Sequence, residues 1–557
     1  MTGAERVWQT LRQRGVDSVF GVPGGAVLPL VDALSAYPDM PFIVTRHESA
    51  AIHAADGYAR VSGKPGVALV TSGPGGTNAL TGLLTAMTDS TPMVVLVGQV
   101  PTTLVGTDAF QEADLFTMAL PVVKHSWKAE HADDVEAIVD AAYRLASHGR
   151  PGPVLVELPK DVQLQAESPS RAPSVSVPPS SASPSWQMPP LVRARLRSYV
   201  KRAERPVFYI GGGVVSSDTS DWILQWAERY HAPVTSTLMG LGAFPAEHPL
   251  SLGMLGMHGT YSANHAIQEA DLIIALGVRF DDRVTGRLDR FAPHARIIHV
   301  EVDKAERNKI VTPDITLAGD LREVLPVLNR LIPHTRHTDW INRIKTWQRE
   351  HPVRIPDAPT GRLASPQVLS LLSRVLADDD VVVTDVGQHQ MWAALFVPRG
   401  KPRRFLTSGG SGTMGYGLPA AMGAQVARRD DGRVLLIVGD GSFQMNLQEL
   451  ATVAQFQLPL VIMVMNNGGH GMVRQWQDLF HGKRRHGVAL QNPDFADLAR
   501  VYGIRGVTVQ TEGELLEVFA QAGREWGPLL LEVKIDPDEM VFPMVPSGHS
   551  LSEVIEG

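Results

Sequence analysis

Eleven runs of near-continuous Val, Ile and Leu recur along the chain, among them VDSVFGV, GVALVTS, PVFYIGGG, DLIIALGV, RVLLIVGD and PLVIMVMN. A strand with one wet face alternates apolar and polar residues. An unbroken apolar run needs cover on both faces, which is the situation of parallel strands flanked by helices. Segments with helical periodicity separate the runs, so the repeating unit is βαβ. Two stretches interrupt it. Residues 168–190 (SPSRAPSVSVPPSSASPSWQMPP) are rich in Ser and Pro and exclude helix or central strand, and 351–361 (HPVRIPDAPTG) form a second, shorter break. They divide the chain into 1–167, 191–350 and 362–557, each of ordinary domain size. The expected fold class is α/β, with three doubly wound parallel-sheet domains.

Composition narrows the function classes. With 557 residues the chain exceeds a single core. A formal charge of −7 spread without blocks argues against nucleic acid as partner, and the cluster GKRRH at 482–486 reads as a solvated loop. Cysteine is absent, so disulfides and Cys-based metal sites are excluded. No apolar run reaches membrane-spanning length, and the first residues (MTGAERVWQTLRQRGV) read as an amphipathic helix rather than a signal peptide. A soluble cytoplasmic protein is expected.

The ends of two strands carry the chemistry. The run at 434–438 stops at Gly439-Asp440-Gly441-Ser442, and the run at 460–465 stops at Asn466-Asn467. Consecutive strands of a βαβ unit are parallel, so both carboxyl ends open on one sheet edge and Asp440 meets Asn467 there. A carboxylate oxygen, an amide oxygen and a backbone carbonyl suit Mg²⁺, with diphosphate oxygens filling its other positions. Gly441 admits the diphosphate close to the backbone, and the helix starting near Ser442 favours an anion. This pattern resembles the GDG…NN signature of thiamine-diphosphate (ThDP) enzymes. In the first segment Arg46-His47-Glu48 opens a helix (ESAAIHAADGYAR). His47 and His53 are six positions apart, which does not match the four-residue spacing of helix-borne zinc ligands. Glu48 is instead the candidate that protonates the aminopyrimidine ring of thiamine, a general acid–base role. TSGPGGTN at 71–78 lacks the lysine of an NTPase phosphate loop.

Nearly end to end, the chain resembles the catalytic subunit of the acetohydroxyacid (acetolactate) synthase family. The motifs are GVPGGAVLP, RHE, SGPGGTN, VGTDAFQEAD, GRPGPVLVELPKDV, GMLGMHGT, GVRFDDRVTG, TDVGQHQMWAA, GTMGYGLPAA, GMVRQWQ and VFPMVPSG. The resemblance implies catalytic roles for Glu48, Gly25, Gln111 and Lys160. It implies ThDP contacts for Val386, Gly387, Gln388, His389, Gly441, Ser442 and Met445, with Met414 as the wedge that bends the cofactor. Mg²⁺ falls to Asp440, Asn467 and the carbonyl of Gly469. Phe110, Arg279, Met472 and Trp476 are implied substrate residues, Arg279 as a clamp for the acceptor carboxylate. For the middle domain the resemblance implies a structural FAD, held by Gly211, Gly212, Gly213, Thr237, Leu238, Met239, Gly256, Met257, His258, Gly277, Arg279, Asp281, Arg283, Asp303 and Asp320.

The implied reaction decarboxylates pyruvate and joins the two-carbon unit to a second 2-ketoacid, pyruvate or 2-ketobutyrate, in branched-chain amino-acid biosynthesis. A homodimer or homotetramer and a small regulatory subunit are the implied partners. Alternatives are another ThDP-dependent decarboxylase, oxidase or lyase, and a non-catalytic ThDP-binding paralogue. The chain departs from the family pattern at Val22, Ser49, Ser411, within TAMTDS, and at Gly468-Gly469-His470, where two added glycines each add about 1 kcal/mol of ordering entropy.

Overall fold

Each of the three segments builds a six-stranded, all-parallel sheet in the computed structural model, which describes residues 1–168, 186–356, 363–397, 399–429, 432–522 and 527–557. The N-terminal sheet contains β1 (Val19–Val22), β2 (Phe42–Val44), β3 (Gly66–Val70), β4 (Met93–Gln99), β5 (His125–Lys128) and β6 (Pro153–Pro159), in the order β2-β1-β3-β4-β6-β5. The central sheet contains β7 (Pro206–Ile210), β8 (Val234–Ser236), β9 (Ser251–Met254), β10 (Leu272–Leu276), β11 (Arg296–Glu301) and β12 (Ile315–Ala318), in the order β12-β11-β10-β7-β8-β9. The C-terminal sheet contains β13 (Val381–Thr384), β14 (Phe405–Leu406), β15 (Val434–Gly439), β16 (Leu460–Asn466), β17 (Arg505–Val509) and β18 (Leu529–Lys534), in the order β14-β13-β15-β16-β18-β17.

The three-domain α/β architecture is as the apolar runs predict. Strands β3, β4, β6, β7, β10 and β16 are buried along their whole length, which explains their apolar composition. The first and third sheets share one topology. The central sheet has the strand order of dinucleotide-binding folds, which reverses direction between β7 and β10. The expected linkers lie mostly outside the described residues, at 169–185 and 357–361. Past the first of them, the Trp186 indole N–H donates to the carbonyl of Ala318 (2.7 Å) and a helix begins at Pro190. The predicted N-terminal helix spans Gly3–Gln13, closed by a reciprocal Thr2/Glu5 cap.

The terminal domains are joined by two helices, Glu48–Ser62 and Gly417–Arg428. They cross where Gly57 and Gly423 leave no side chain between them: a Cβ on Gly57 would overlap the carbonyl of Ala420, and one on Gly423 the carbonyl of Ala54. Beside the crossing, the buried Arg60 guanidinium contacts Asp56 (2.6 Å), Asp89 (2.8 Å) and the carbonyl of Thr407 (2.8 Å). The Tyr416 hydroxyl donates to Asp56 (2.8 Å). His53, read from sequence as an unsuitable zinc ligand, is buried edge-on against Tyr416, and that burial lowers its pKa to about 4.

Gly423→Ala puts a methyl group against backbone that has no room to yield. It is expected to cost at least about 2 kcal/mol, read as a fall in the urea midpoint at unchanged slope.

Candidate functional site

The C-terminal sheet reverses strand order between β13 and β15, and the residues that follow those two strands are 385–389 and 440–442. Strand register aligns Gly439 with Met465, so Asp440 and Asn467 emerge side by side. Their oxygens converge: the Gly469 N–H lies 3.0 Å from Asp440 Oδ2 and 3.2 Å from Asn467 Oδ1. Asp440 is 2 % exposed, and burial raises its pKa. The donors that bond it directly, Gly469 N–H and Asn492 Nδ2 (2.6 Å), are neutral. A buried carboxylate without a bonded cation beside a convergent amide oxygen fits a small hard cation such as Mg²⁺. Among the described residues no cluster of three or more His, Asp or Glu side chains offers another metal site.

Neighbouring groups fix Asp440 and Asn467. Gln388 donates to Gln475 Oε1 and to the carbonyl of Glu539 (both 2.9 Å) while its own oxygen faces Asn467 Nδ2 (3.4 Å), turning the Asn467 oxygen toward Asp440. Asn466 is held by Glu532 (2.6 Å) and accepts from Asn492 (2.9 Å) and the Gly468 N–H (3.1 Å). The departures at 468–470 form a tethered loop rather than a loose one. Gly468 has φ 68°, the left-handed region that glycine enters at little cost. Its carbonyl accepts from Leu490 N–H (2.9 Å), and His470 N–H donates to Val488 (2.8 Å). The His470 ring covers Gly441, where an added Cβ would lie 2.8 Å from it.

The loop carrying Met414 is tied to the same place by Asp385. This fully buried carboxylate, pushed up to about 6 by burial against opposing backbone donors, accepts from the N–H groups of Val386 (2.8 Å), Gly415 (3.0 Å) and Gly417 (2.7 Å). Asn446 closes the other side onto the Gly415 carbonyl (2.7 Å). Ser442 donates to Val386 O (2.9 Å), and the His389 ring packs where a Cβ on Gly439 would be (2.9 Å). Met445 is half-exposed at the rim. Asp385, Asn466 and Asn492 were not selected from sequence. Asp385 left a signal there, as a charged residue closing an apolar run, and Asn466 as the first asparagine of the Asn466-Asn467 pair; Asn492 left none.

The N-terminal sheet gathers its candidates at its own carboxyl edge. Glu48 begins its helix after β2, and its Oε2 accepts from Asn78 Nδ2 (3.0 Å). A Cβ on Gly75, in the first turn of the helix after β3, would lie 3.4 Å from Glu48 Oε1. The segment containing Glu48 is anchored on the C-terminal domain, where Glu449 accepts from Arg46 N–H (2.9 Å). Ser49 has a local role: its N–H and hydroxyl both engage His47 Nδ1 (3.1 and 2.7 Å). Gly25, Phe110 and Gln111 are exposed, Phe110 at 88 %, and Lys160 follows β6 half-buried.

A cavity of about 730 Å³ runs from the central domain to the C-terminal site. It opens at the β7/β10 switch point, where Gly213 and Gly277 pack so closely that a Cβ on either would lie 2.6 Å from the other's Cα. Gly212, Gly213, Thr237, Leu238, Met239, Met257, His258, Gly277, Arg279, Asp281, Arg283 and Asp320 line it, and its far end reaches Val386, Met472 and Trp476. An elongated cavity at the switch point of this topology fits a dinucleotide such as FAD. Gly25, Glu48, Phe110, Gln111 and Lys160 do not line it.

Three residues given to the cofactor by the resemblance, Gly211, Gly256 and Asp303, lie outside the lining of this cavity. Gly211 and Gly256 sit behind the lining, where a Cβ would overlap Gly277 O and approach Arg283 O (2.5 Å). Asp303 turns to Arg150 (3.0 Å), and Glu301 and Val302 line the cavity in its place. Arg150, passed over in the motif GRPGPV, is a further lining residue.

The chain matches the family models of the thiamine pyrophosphate enzymes in all three domains: the N-terminal TPP binding domain at 1–118, the central domain at 194–328 and the C-terminal TPP binding domain at 385–533. It is 46% identical to the acetolactate synthase large subunit of Parasynechococcus marenigrum, over 100% of this chain and 91% of that protein. It is 45% identical to the acetolactate synthase isozyme 2 large subunit of Escherichia coli, over 100% of both. With the acetolactate synthase large subunit of Haemophilus influenzae it shares 43% identity, over 100% of this chain and 98% of the other.

Burial pushes the Glu301 carboxyl up to about 7 against the bond from the Asp303 N–H, while the unfolded chain titrates near 4.5. A folded pKa above the unfolded one gives stability that is complete below pH 4.5 and lost as pH rises to 7. Glu301→Gln is expected to abolish roughly 2 kcal/mol of that loss, measured by urea unfolding of cofactor-free protein at pH 5 and pH 8.

Proposed function

Because this chain belongs to the acetolactate synthase large-subunit family, we propose that it is a ThDP-dependent carboligase of branched-chain amino-acid biosynthesis. It decarboxylates pyruvate and joins the two-carbon unit to the keto carbon of pyruvate or 2-ketobutyrate, giving 2-acetolactate or 2-aceto-2-hydroxybutyrate. The observation that carries this reading is the convergence of Asp440 and Asn467 oxygens at the β13/β15 switch point, with Glu48 presented on the matching edge of the N-terminal domain.

Mg²⁺ is held by Asp440, Asn467 and the Gly469 carbonyl. The antiparallel bridge of this loop uses the carbonyl of Gly468 and the N–H of His470, leaving the Gly469 carbonyl out of it. The thiazolium of bound ThDP supplies the nucleophilic carbon and the electron sink. Glu48 holds the proton that the aminopyrimidine requires. Asn78 occupies its Oε2 and leaves Oε1 for the cofactor. Met414, fixed between Thr413 and the Asp385-bound Gly415, would support the bound cofactor. Arg279 spends one N–H on the carbonyl of Thr88 (2.8 Å) and offers the rest of its guanidinium to the acceptor carboxylate. Met472 and Trp476 form the apolar wall that receives the acceptor side chain. FAD occupies the central cavity as a structural cofactor.

Glu48 lies outside the cavity that reaches Trp476, so the complete site is assembled in a homodimer, with Glu48 serving the partner's cofactor. The relatives are named large subunits, and a small regulatory subunit is the corresponding partner here. Among the described residues no helix is long and apolar enough to cross a membrane, and the cytoplasm is the proposed compartment.

The purified protein with ThDP, Mg²⁺ and FAD is expected to form one acetolactate per CO₂ released from pyruvate. CO₂ without acetolactate contradicts the carboligase reading. Glu48→Gln should lower turnover by at least about 100-fold with an unchanged melting temperature, and Asp440→Ala should abolish Mg²⁺-dependent quenching of tryptophan fluorescence by ThDP.

A further inference from the structure

Ser411 lies in the loop that leads to Met414, and the structure gives its hydroxyl a partner in another domain. Ser411 Oγ and Thr88 Oγ1 are 2.7 Å apart. Thr88 belongs to the helix Pro74–Asp89, and its single hydroxyl proton is directed to the carbonyls of Leu84 and Thr85 (both 3.0 Å). A hydroxyl has one proton and two acceptor positions, so Ser411 donates and Thr88 accepts. One helical turn earlier the arrangement repeats: Thr85 back-bonds to Thr81 O (3.0 Å) and receives Thr413 Oγ1 (2.7 Å). Asp89 completes the face by accepting from the Gly409 N–H (3.2 Å) and the Gly410 N–H (2.6 Å). A Cβ on Gly410 would lie 2.9 Å from Thr88 Cβ, so the loop and the helix are in direct contact.

The same turn holds the central domain. The last carbonyls of a helix have no partner within it and favour cations. Here Arg279 Nη1 donates to Thr88 O (2.8 Å), and Arg150 Nη2 donates to Met87 O (3.2 Å) and Thr88 O (3.4 Å). Thr88 therefore binds the Met414 loop through its hydroxyl and Arg279 through its carbonyl, and Thr88, Ser411 and Arg279 all line the large cavity.

We propose that the Thr88–Ser411 hydroxyl pair is a positioning element of this carboligase, fixing the loop that carries Met414 relative to the Arg279 guanidinium that receives the acceptor carboxylate. The inference rests on the functional reading above. It adds two residues with no contact to the reacting atoms, acting through Met414 and Arg279.

The test is a double-mutant cycle on the holoenzyme with Thr88→Val, Ser411→Ala, the double variant and Thr88→Ser. The readouts are the ThDP dissociation constant by fluorescence quenching, the KM of the acceptor 2-ketoacid and the melting temperature. Each hydroxyl deletion is expected to raise the ThDP constant and the acceptor KM by about fivefold, the scale of one neutral hydrogen bond. The double variant should be no worse than either single one, Thr88→Ser should match wild type, and melting temperatures should stay close together. Effects that multiply in the double variant, or a lowered melting temperature with both constants unchanged, overturn the inference. Wild-type protein that does not bind ThDP overturns the functional reading as well, whereas wild-type binding with unaltered variants overturns this inference alone.

Discussion

The site depends on a carboxylate, Asp440, kept out of water at the end of a parallel strand with neutral hydrogen-bond donors around it. Burying a charge in this way is unfavourable unless an opposite charge arrives. The fold places the amide oxygen of Asn467 beside it and turns that oxygen inward through Gln388. Much of the surrounding polar structure serves this arrangement. Asn492, itself bonded to Asn466, braces Asp440, and Asp385 draws three backbone N–H groups together so that the loops after β13 and before the Gly417–Arg428 helix close on the same edge.

The other domains contribute by position. The crossing of the Glu48–Ser62 and Gly417–Arg428 helices, possible because Gly57 and Gly423 lack side chains, fixes the angle between the terminal domains. Arg60 then bridges Asp56 and Asp89 in one buried group, and Asp89 hands the constraint on to the loop before Met414. The central domain meets the N-terminal domain at the last turn of the Pro74–Asp89 helix, where Arg279 donates to a carbonyl that the helix leaves open and Arg150, bonded to the same turn, reaches Asp303. Cavity, metal ligands and cofactor loop are thus held by one junction of three domains.

The topology, and the meeting of Asp440 with Asn467, were legible in the sequence because both follow from strand periodicity. Doubly covered strands such as β7 and β16 must be apolar throughout, and parallel strands must end on one side, which brings Asp440 and Asn467 together. The strands that left no clear signal are β8 and those at the sheet edges, β2, β5, β9, β12, β14 and β17. They are short, and β5, β9, β12 and β17 mix buried with half-buried or exposed positions, so no continuous run marks them. Asn492 was invisible for a different reason: it is a polar residue in an irregular segment, and only the folded loop brings it to Asp440. Glu301 ends β11 and Asp303 lies just beyond it, and only the folded chain shows that Glu301 faces the cavity while Asp303 meets Arg150. Ser411 read as an isolated departure until Thr88 appeared opposite it.

The central claim is that Glu48 and the Asp440 site come from different chains. Glu48→Gln and Asp440→Ala chains, each inactive alone, can be mixed and allowed to exchange subunits. A mixed dimer then contains one site with both intact residues, so random pairing is expected to restore about a quarter of wild-type acetolactate formation. If both residues act within one chain, no mixed dimer contains a complete site, and a mixture that stays inactive despite proven exchange contradicts the account.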